Sequence, residues 1–197
     1  MNLYLIRHTT AALDSQRVCY GHTDVPLAAS YPVDQADLFK RASGLWKQPL
    51  IYSSPLQRCA ELAESLAAPT NAEVQFDDRL KELNFGDWEE RLWEDIPRAD
   101  LDAWANDFVD GSPPGGESYR ALQTRVNALL DELRARPLIA DGNRDVLFVA
   151  HGGVIRALLA WALELPLRKS FSFEINPGSI SAIRYTQGFR TVAFVNR

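Results

Sequence analysis

Asp145-Val146-Leu147-Phe148-Val149-Ala150-His151-Gly152-Gly153 decides the fold. Its apolar run, entered from a polar residue, reads as a short strand buried on both faces. Two glycines then open an apolar helix expected over Val154 to Leu163. A strand that passes the chain straight to a helix is half of a β-α-β unit, and such units build parallel sheets. Asn2-Leu3-Tyr4-Leu5-Ile6, followed directly by Arg7-His8, copies the arrangement. Pro49-Leu50-Ile51-Tyr52-Ser53-Ser54 supplies a third strand and its exit, with Pro55 suited to the first turn of the next helix. Each of these strands ends in a polar cluster: Arg7-His8, Ser53 through Arg58, and His151-Gly152-Gly153.

Around these three the remaining elements fall into place. Helical spacing runs from Asp34 to Lys47, and the helix after Pro55 carries Leu56, Cys59, Ala60, Ala63 and Leu66 on one face. Residues 73–77 alternate as a strand. Tyr119, Leu122, Val126, Leu129, Leu130 and Leu133 trace the stripe of an amphipathic helix behind the breaker cluster Ser112-Pro113-Pro114-Gly115-Gly116. Asp141-Gly142-Asn143 is expected to turn the chain into its strongest strand. Ile180 to Tyr185 and Thr191 to Val195 read as an edge hairpin around Gln187-Gly188. Lys81 to Trp104 is rich in acids and tryptophan without a period, an excursion above the sheet. The expectation is an α/β fold of one domain over 1–197, its largely parallel sheet covered on both faces, with a helical excursion at about 84–115. Ligands bind such sheets outside the carboxyl ends of the strands, so the three polar clusters are expected to face one crevice.

Composition narrows the partners. The 197 residues hold 21 lysines and arginines against 26 acids, a net charge of -5, with no basic tract to neutralise a nucleic-acid backbone. No apolar run reaches the roughly 20 residues that span a bilayer, and the start of the chain lacks the pattern of an export signal, so a cytoplasmic location is expected. Cys19 and Cys59 lack metal-ligand or redox spacing and read as ordinary buried thiols; neither a metal nor another cofactor is expected. The sequence leaves the oligomeric state open.

Two histidines and two arginines converging on one pocket suit a phosphoryl group. A neutral imidazole attacks phosphorus, and guanidinium groups match phosphate oxygens in bidentate fashion. Gly152-Gly153 at the head of a helix adds backbone N–H donors and the positive end of the helix dipole. Protonation of the leaving oxygen needs an acid, and Glu82 is the candidate. The expected partner is therefore a small phosphorylated metabolite.

Leu5-Ile6-Arg7-His8, Ser53-Ser54-Pro55-Leu56-Gln57-Arg58-Cys59, Glu82-Leu83-Asn84-Phe85-Gly86-Asp87-Trp88-Glu89 and Val149-Ala150-His151-Gly152-Gly153 together resemble the histidine phosphatase superfamily, the relatives of cofactor-dependent phosphoglycerate mutase. Cys19 to Leu27 and Pro113 to Ser118 look like its alpha-ribazole phosphatase branch. The resemblance implies a three-layer α/β/α sandwich and a metal-independent phosphomonoesterase. His8 would be the nucleophile, Arg7, Arg58, His151 and Gly152 the phosphate holders, and Glu82 the acid that later activates water. It implies removal of the 5′-phosphate of alpha-ribazole phosphate in cobalamin assembly. The alternatives are a broad sugar phosphate or phosphoglycerate phosphatase, a mutase, and a non-catalytic phospho-ligand module. Thr9, Gly21, His22 and Glu117 are candidate substrate contacts, against local packing for His22 and simple helix capping for the neighbouring Ser118. Trp88, Trp93 and Trp104 either wall an aromatic-binding pocket or anchor the excursion. Two departures from the family pattern are Thr9 in place of glycine and Asp14 in place of asparagine.

Overall fold

Six strands form one sheet in the order β3-β2-β4-β1-β5-β6. The computed structural model describes residues 1–136, 144–186 and 188–197. The expected turn at Asp141–Asn143 and residue Gln187 of the expected hairpin tip lie outside them. β1 (Asn2–Arg7), β2 (Leu50–Ser53), β3 (Val74–Phe76) and β4 (Val146–Ala150) run parallel; β5 (Ile180–Thr186) and β6 (Phe189–Phe194) are an antiparallel pair, with β5 against β1.

Successive side chains of a strand point to opposite faces, and each face here has its own core. Leu3, Leu5, Phe148 and Ala150 pack with α4 (Tyr119–Arg134) and α5 (Gly152–Ala162). Tyr4, Ile6, Leu147 and Val149 pack on the other side with α1 (Tyr31–Ala42) and α2 (Gln57–Ala67). The result is the three-layer α/β/α arrangement. All six residues of the expected stripe on α4 are buried, and the Ser118 hydroxyl caps the helix by accepting from the Ala121 N–H.

Two helix boundaries differ from the sequence reading. The first helix begins at Tyr31, with Pro32 in its opening turn, and ends at Ala42 because Gly44 takes φ +74. The second starts at Gln57, so Pro55 precedes the helix instead of entering it, and Asp24 from a distant loop accepts the Gln57 N–H. Its buried face is accordingly turned to Arg58, Cys59, Leu62, Ala63 and Leu66, leaving Ala60 only half-buried.

The segment 84–115 contributes short helical turns and α3 (Arg98–Asn106). Cys19, Trp88 and Ile96 form a small core beneath it. Glu89 ties it to the first loop, accepting from the backbone of His22 and Thr23, the Thr23 hydroxyl and the Phe85 N–H. These donors hold the Glu89 carboxyl below its usual value against the opposing effect of burial, the largest single influence.

Candidate active site

The carboxyl ends of β1, β2 and β4 lie side by side, and their polar clusters meet there. The His8 N–H donates to the Ala150 carbonyl (3.0 Å), while Gly178 N–H reaches the Arg7 and His8 carbonyls (3.2 and 3.0 Å). The backbone of Arg7-His8 is thus stitched to both neighbouring strand ends.

His8 and His151 are buried with ring centroids 5.1 Å apart. His8 Nδ1 lies 2.7 Å from the Thr9 carbonyl oxygen, which can only accept, so Nδ1 carries the proton and Nε2 keeps its lone pair. Burial, then the nearby Arg58 and Arg7 charges, push the His8 pKa down to about 3. The same influences, with His8 added, hold His151 well below its ordinary value. Both rings are therefore neutral near pH 7. His151 Nε2 sits 2.9 Å from Ser54 Oγ, with Cys59 Sγ beside it at 3.5 Å. Burial raises the Cys59 thiol far out of the reactive range.

Arg58 is fully buried. It donates Nη1 to the Thr23 carbonyl (2.9 Å) and Nη2 to that of Gly21 (2.6 Å), which locks the guanidinium in one orientation. Arg7 donates Nη1 to the Ile175 carbonyl at 2.6 Å. Arg7 Nε, Arg58 Nε and Thr9 Oγ1 are buried polar atoms without a hydrogen-bond partner. Buried donors left unpaired cost stability, and the two arginines among them stand close enough to His8 for their charges to lower its pKa. Chemically, such an arrangement can receive anionic oxygens.

Glu82 flanks this arrangement, its Oε1 accepting from the Leu83 N–H (2.9 Å) and its Oε2 from the Gly153 N–H (3.0 Å). A Cβ at Gly153 would collide with that carboxylate, and one at Gly21 with the Leu83 carbonyl. Gly152 packs under Arg7 and Arg156. Thus Arg7, His8, Thr9, Arg58, Glu82, His151 and Gly152 are brought together, with Gly21 as an anchor for Arg58.

His22 and Glu117 stand one shell back. Glu117 uses both carboxylate oxygens on Arg125 (2.6 and 3.1 Å) and also accepts the Asn84 N–H (3.0 Å). His22 Nε2 lies 3.9 Å from Glu117. Asp14 is exposed and accepts the Gln16 N–H of its own turn.

A cleft of about 330 Å³ opens from Arg7 and Glu82. Tyr20, Phe85, Trp93, Trp104, Phe108 and Phe171 wall it, with Arg156 among them. Trp93 and Trp104 thus do both, lining the cleft while packing on the small core of the excursion, whereas Trp88 is 3% exposed within that core. Sequence reading missed Arg156, whose signal was a lone charge in an otherwise apolar helix, and Phe171, which gave none. Among the described residues no three histidine, cysteine, aspartate or glutamate side chains converge to hold a metal, and no helix is long and apolar enough to cross a membrane.

Comparison with known proteins bears on this geometry. The family model of the histidine phosphatase superfamily (branch 1) matches residues 3–197. The adenosylcobalamin/alpha-ribazole phosphatase of Escherichia coli K12 is 30% identical over 199 residues, covering 100% of this chain and 96% of its own. A probable phosphoglycerate mutase of Shigella boydii serotype 18 is 32% identical over 191 residues, 95% of this chain and 86% of its own. The crystal structure of the alpha-ribazole phosphatase from Shigella flexneri superposes with a TM-score of 0.87 at 27% identity, covering 100% of this chain and 96% of that one.

Proposed function

This chain belongs to the histidine phosphatase superfamily, branch 1, and on that premise we propose that it is a phosphomonoesterase working through a phosphohistidine on His8, with alpha-ribazole 5′-phosphate as substrate. The observation that carries the reading is the pair of buried arginines, Arg7 and Arg58, each with an unpartnered Nε, beside a neutral imidazole. Nε2 of His8 attacks phosphorus, the P–O ester bond breaks, and Glu82 hands its proton to the departing oxygen. Arg7, Arg58, His151 and the Gly152 N–H hold the three remaining oxygens as charge builds on them. Water then attacks the P–N bond, giving its proton to Glu82, and inorganic phosphate leaves with His8 neutral again. The donors are oriented before substrate arrives, so little reorganisation accompanies the reaction.

The aromatic wall supports the leaving group. Alpha-ribazole carries a flat benzimidazole, and rings prefer edge or offset contact with aromatic faces such as Trp93 and Trp104. A second reading, a phosphoglycerate or sugar phosphate ester, draws on Arg156, whose guanidinium lines the same cleft and suits a carboxylate.

Steady-state hydrolysis of alpha-ribazole phosphate beside 3-phosphoglycerate, glucose 6-phosphate and 4-nitrophenyl phosphate tests the assignment. We expect kcat/KM for alpha-ribazole phosphate to exceed the others by about 100-fold, the discrimination a shaped pocket supplies. Equal values across the panel would remove the specific substrate, and preference for the phosphoglycerate would install the second reading.

A further inference from the structure

Glu82 sits in a stretch without regular structure, just after a single helical turn at Asp78–Leu80. Such a stretch does not fix a carboxylate by itself. Arg125, on α4, grips it. Its Nη1 donates to the carbonyls of Arg79 and Lys81 (2.7 Å each), and its Nη2 to the carbonyl of Glu82 (2.8 Å) and to Glu117 Oε1 (2.6 Å). Its Nε completes the set on Glu117 Oε2 at 3.1 Å. A guanidinium has five N–H donors, and here each finds an acceptor. Glu117 passes the grip onward by accepting the N–H of Asn84. The backbone from Arg79 to Asn84 is therefore clasped on both sides of Glu82.

The same helix also reaches the other end of the carboxylate. Tyr119 Oη donates to the Gly153 carbonyl (2.8 Å), and the N–H of Gly153 is the donor that holds Glu82 Oε2. Helix α4 thus sets both the chain that carries Glu82 and the residue that aims it. Leu122 and Val126, buried beside Arg125 in the sheet-facing core, keep that helix from shifting. The hydrogen bonds of Arg125 go to the Glu82 segment and to Glu117, while its charge also helps lower the His151 pKa, an influence felt equally by every ester, whereas a displaced Glu82 discriminates among leaving groups.

We propose that Arg125, paired with Glu117, is a positioning residue that sets the distance between the Glu82 carboxyl and the leaving oxygen. Proton transfer needs heavy atoms within about 3 Å of each other, and a displacement of about 1 Å costs on the order of 100-fold. The inference rests on Glu82 being the acid. Lysine cannot replace the clasp, because a compact ammonium has three donors and no planar fork.

The test is the dependence of kcat/KM on the leaving group, which reports events up to phosphoenzyme formation. Wild type, Glu82→Gln, Arg125→Met, Arg125→Lys and Glu117→Gln are compared on 2,4-dinitrophenyl, 4-nitrophenyl, phenyl and simple alkyl phosphates, each variant first checked for folding by circular dichroism and thermal melting. A dinitrophenolate leaves without a proton, whereas an alkoxide does not. For Arg125→Met we expect a loss of about 100-fold on alkyl phosphates and under about threefold on the dinitrophenyl ester, with Arg125→Lys and Glu117→Gln showing the same tilt at smaller size. A uniform loss across the esters, or none, in folded Arg125 variants overturns the clasp while Glu82→Gln still tilts the series. If Glu82→Gln shows no tilt, the acid assignment itself fails. Should Arg125→Met not fold, the Lys and Gln variants decide by the same slope.

Discussion

The two ends of the cleft are built by different means. At one end, Arg7, His8, Arg58 and His151 stand on or just beyond strands and the first turn of a helix, nearly all buried, the first three aimed by backbone carbonyls and His151 by the Ser54 hydroxyl. At the other end, Trp93, Phe108 and Phe171 project from short turns and Trp104 from the nine-residue helix α3 of the excursion, and Phe171 is 56% exposed. On the proposed function the first end would hold the phosphate common to many metabolites, and the second would meet the part that differs. On that reading the sheet would carry the shared chemistry, and the excursion and loops above it the choice.

The contrast breaks most readily at His8. His8→Ala should lower kcat/KM by on the order of 10⁵-fold on every ester, with no acid-labile phosphoenzyme in a rapid quench with labelled substrate. A loss confined to one class of leaving group would mean that the phosphate end is not common ground. Arg58→Ala should cost about 10²–10³-fold, again evenly across substrates, when kinetics of the same panel are measured. Two carbonyls, of Thr23 and Gly21, lose their donor as well.

A third prediction uses pH. His8 has a pKa of about 3 in the fold against about 6.5 in an unfolded chain, so between these values the unfolded state binds more protons. Stability from this group is full above pH 6.5 and is lost as pH falls toward 3. Urea titrations should find wild type losing about 2–3 kcal/mol more than His8→Asn between pH 7 and pH 4. A parallel decline in the two proteins would show that the imidazole is not held neutral. The smallest effect belongs to the other end: Trp104→Ala should raise KM about tenfold for an ester of a flat aromatic alcohol and under about twofold for an alkyl phosphate. Equal shifts would place Trp104 in support of the excursion alone.

The same contrast explains how much could be read from the sequence. The strands announce themselves as apolar runs, and the groups at their ends follow in register, so the approach of Arg7, Arg58 and His151 needed only the parallel order of the strands. Segment 84–115 has no period, and which of its tryptophans faces the cleft depended on a contact between Trp88, Cys19 and Ile96 that spacing does not encode. Arg125 lies beside the buried stripe of α4, one residue before Val126, and reads locally as an ordinary flanking charge. Its acceptors are carbonyls 43 to 46 residues away, invisible to any local pattern. Glu117 looked like a substrate contact for the same reason: its partner Arg125 is eight residues on, across a helix start.

The central strand has a consequence for how the site comes into being. β1, residues 2–7, is flanked by β4 and β5, which lie more than 140 positions later in the chain. Contacts of such sequence separation form slowly, and a ribosome delivers the N-terminal partner first. During synthesis β1 therefore lacks its parallel neighbour until residues near 150 have emerged, and the Arg7-His8 backbone is fully tied down only when β5 docks and Gly178 and Ser179 reach it. His8, the proposed nucleophile, is thus made more than 140 residues before Ala150, the end of the strand that first supports it.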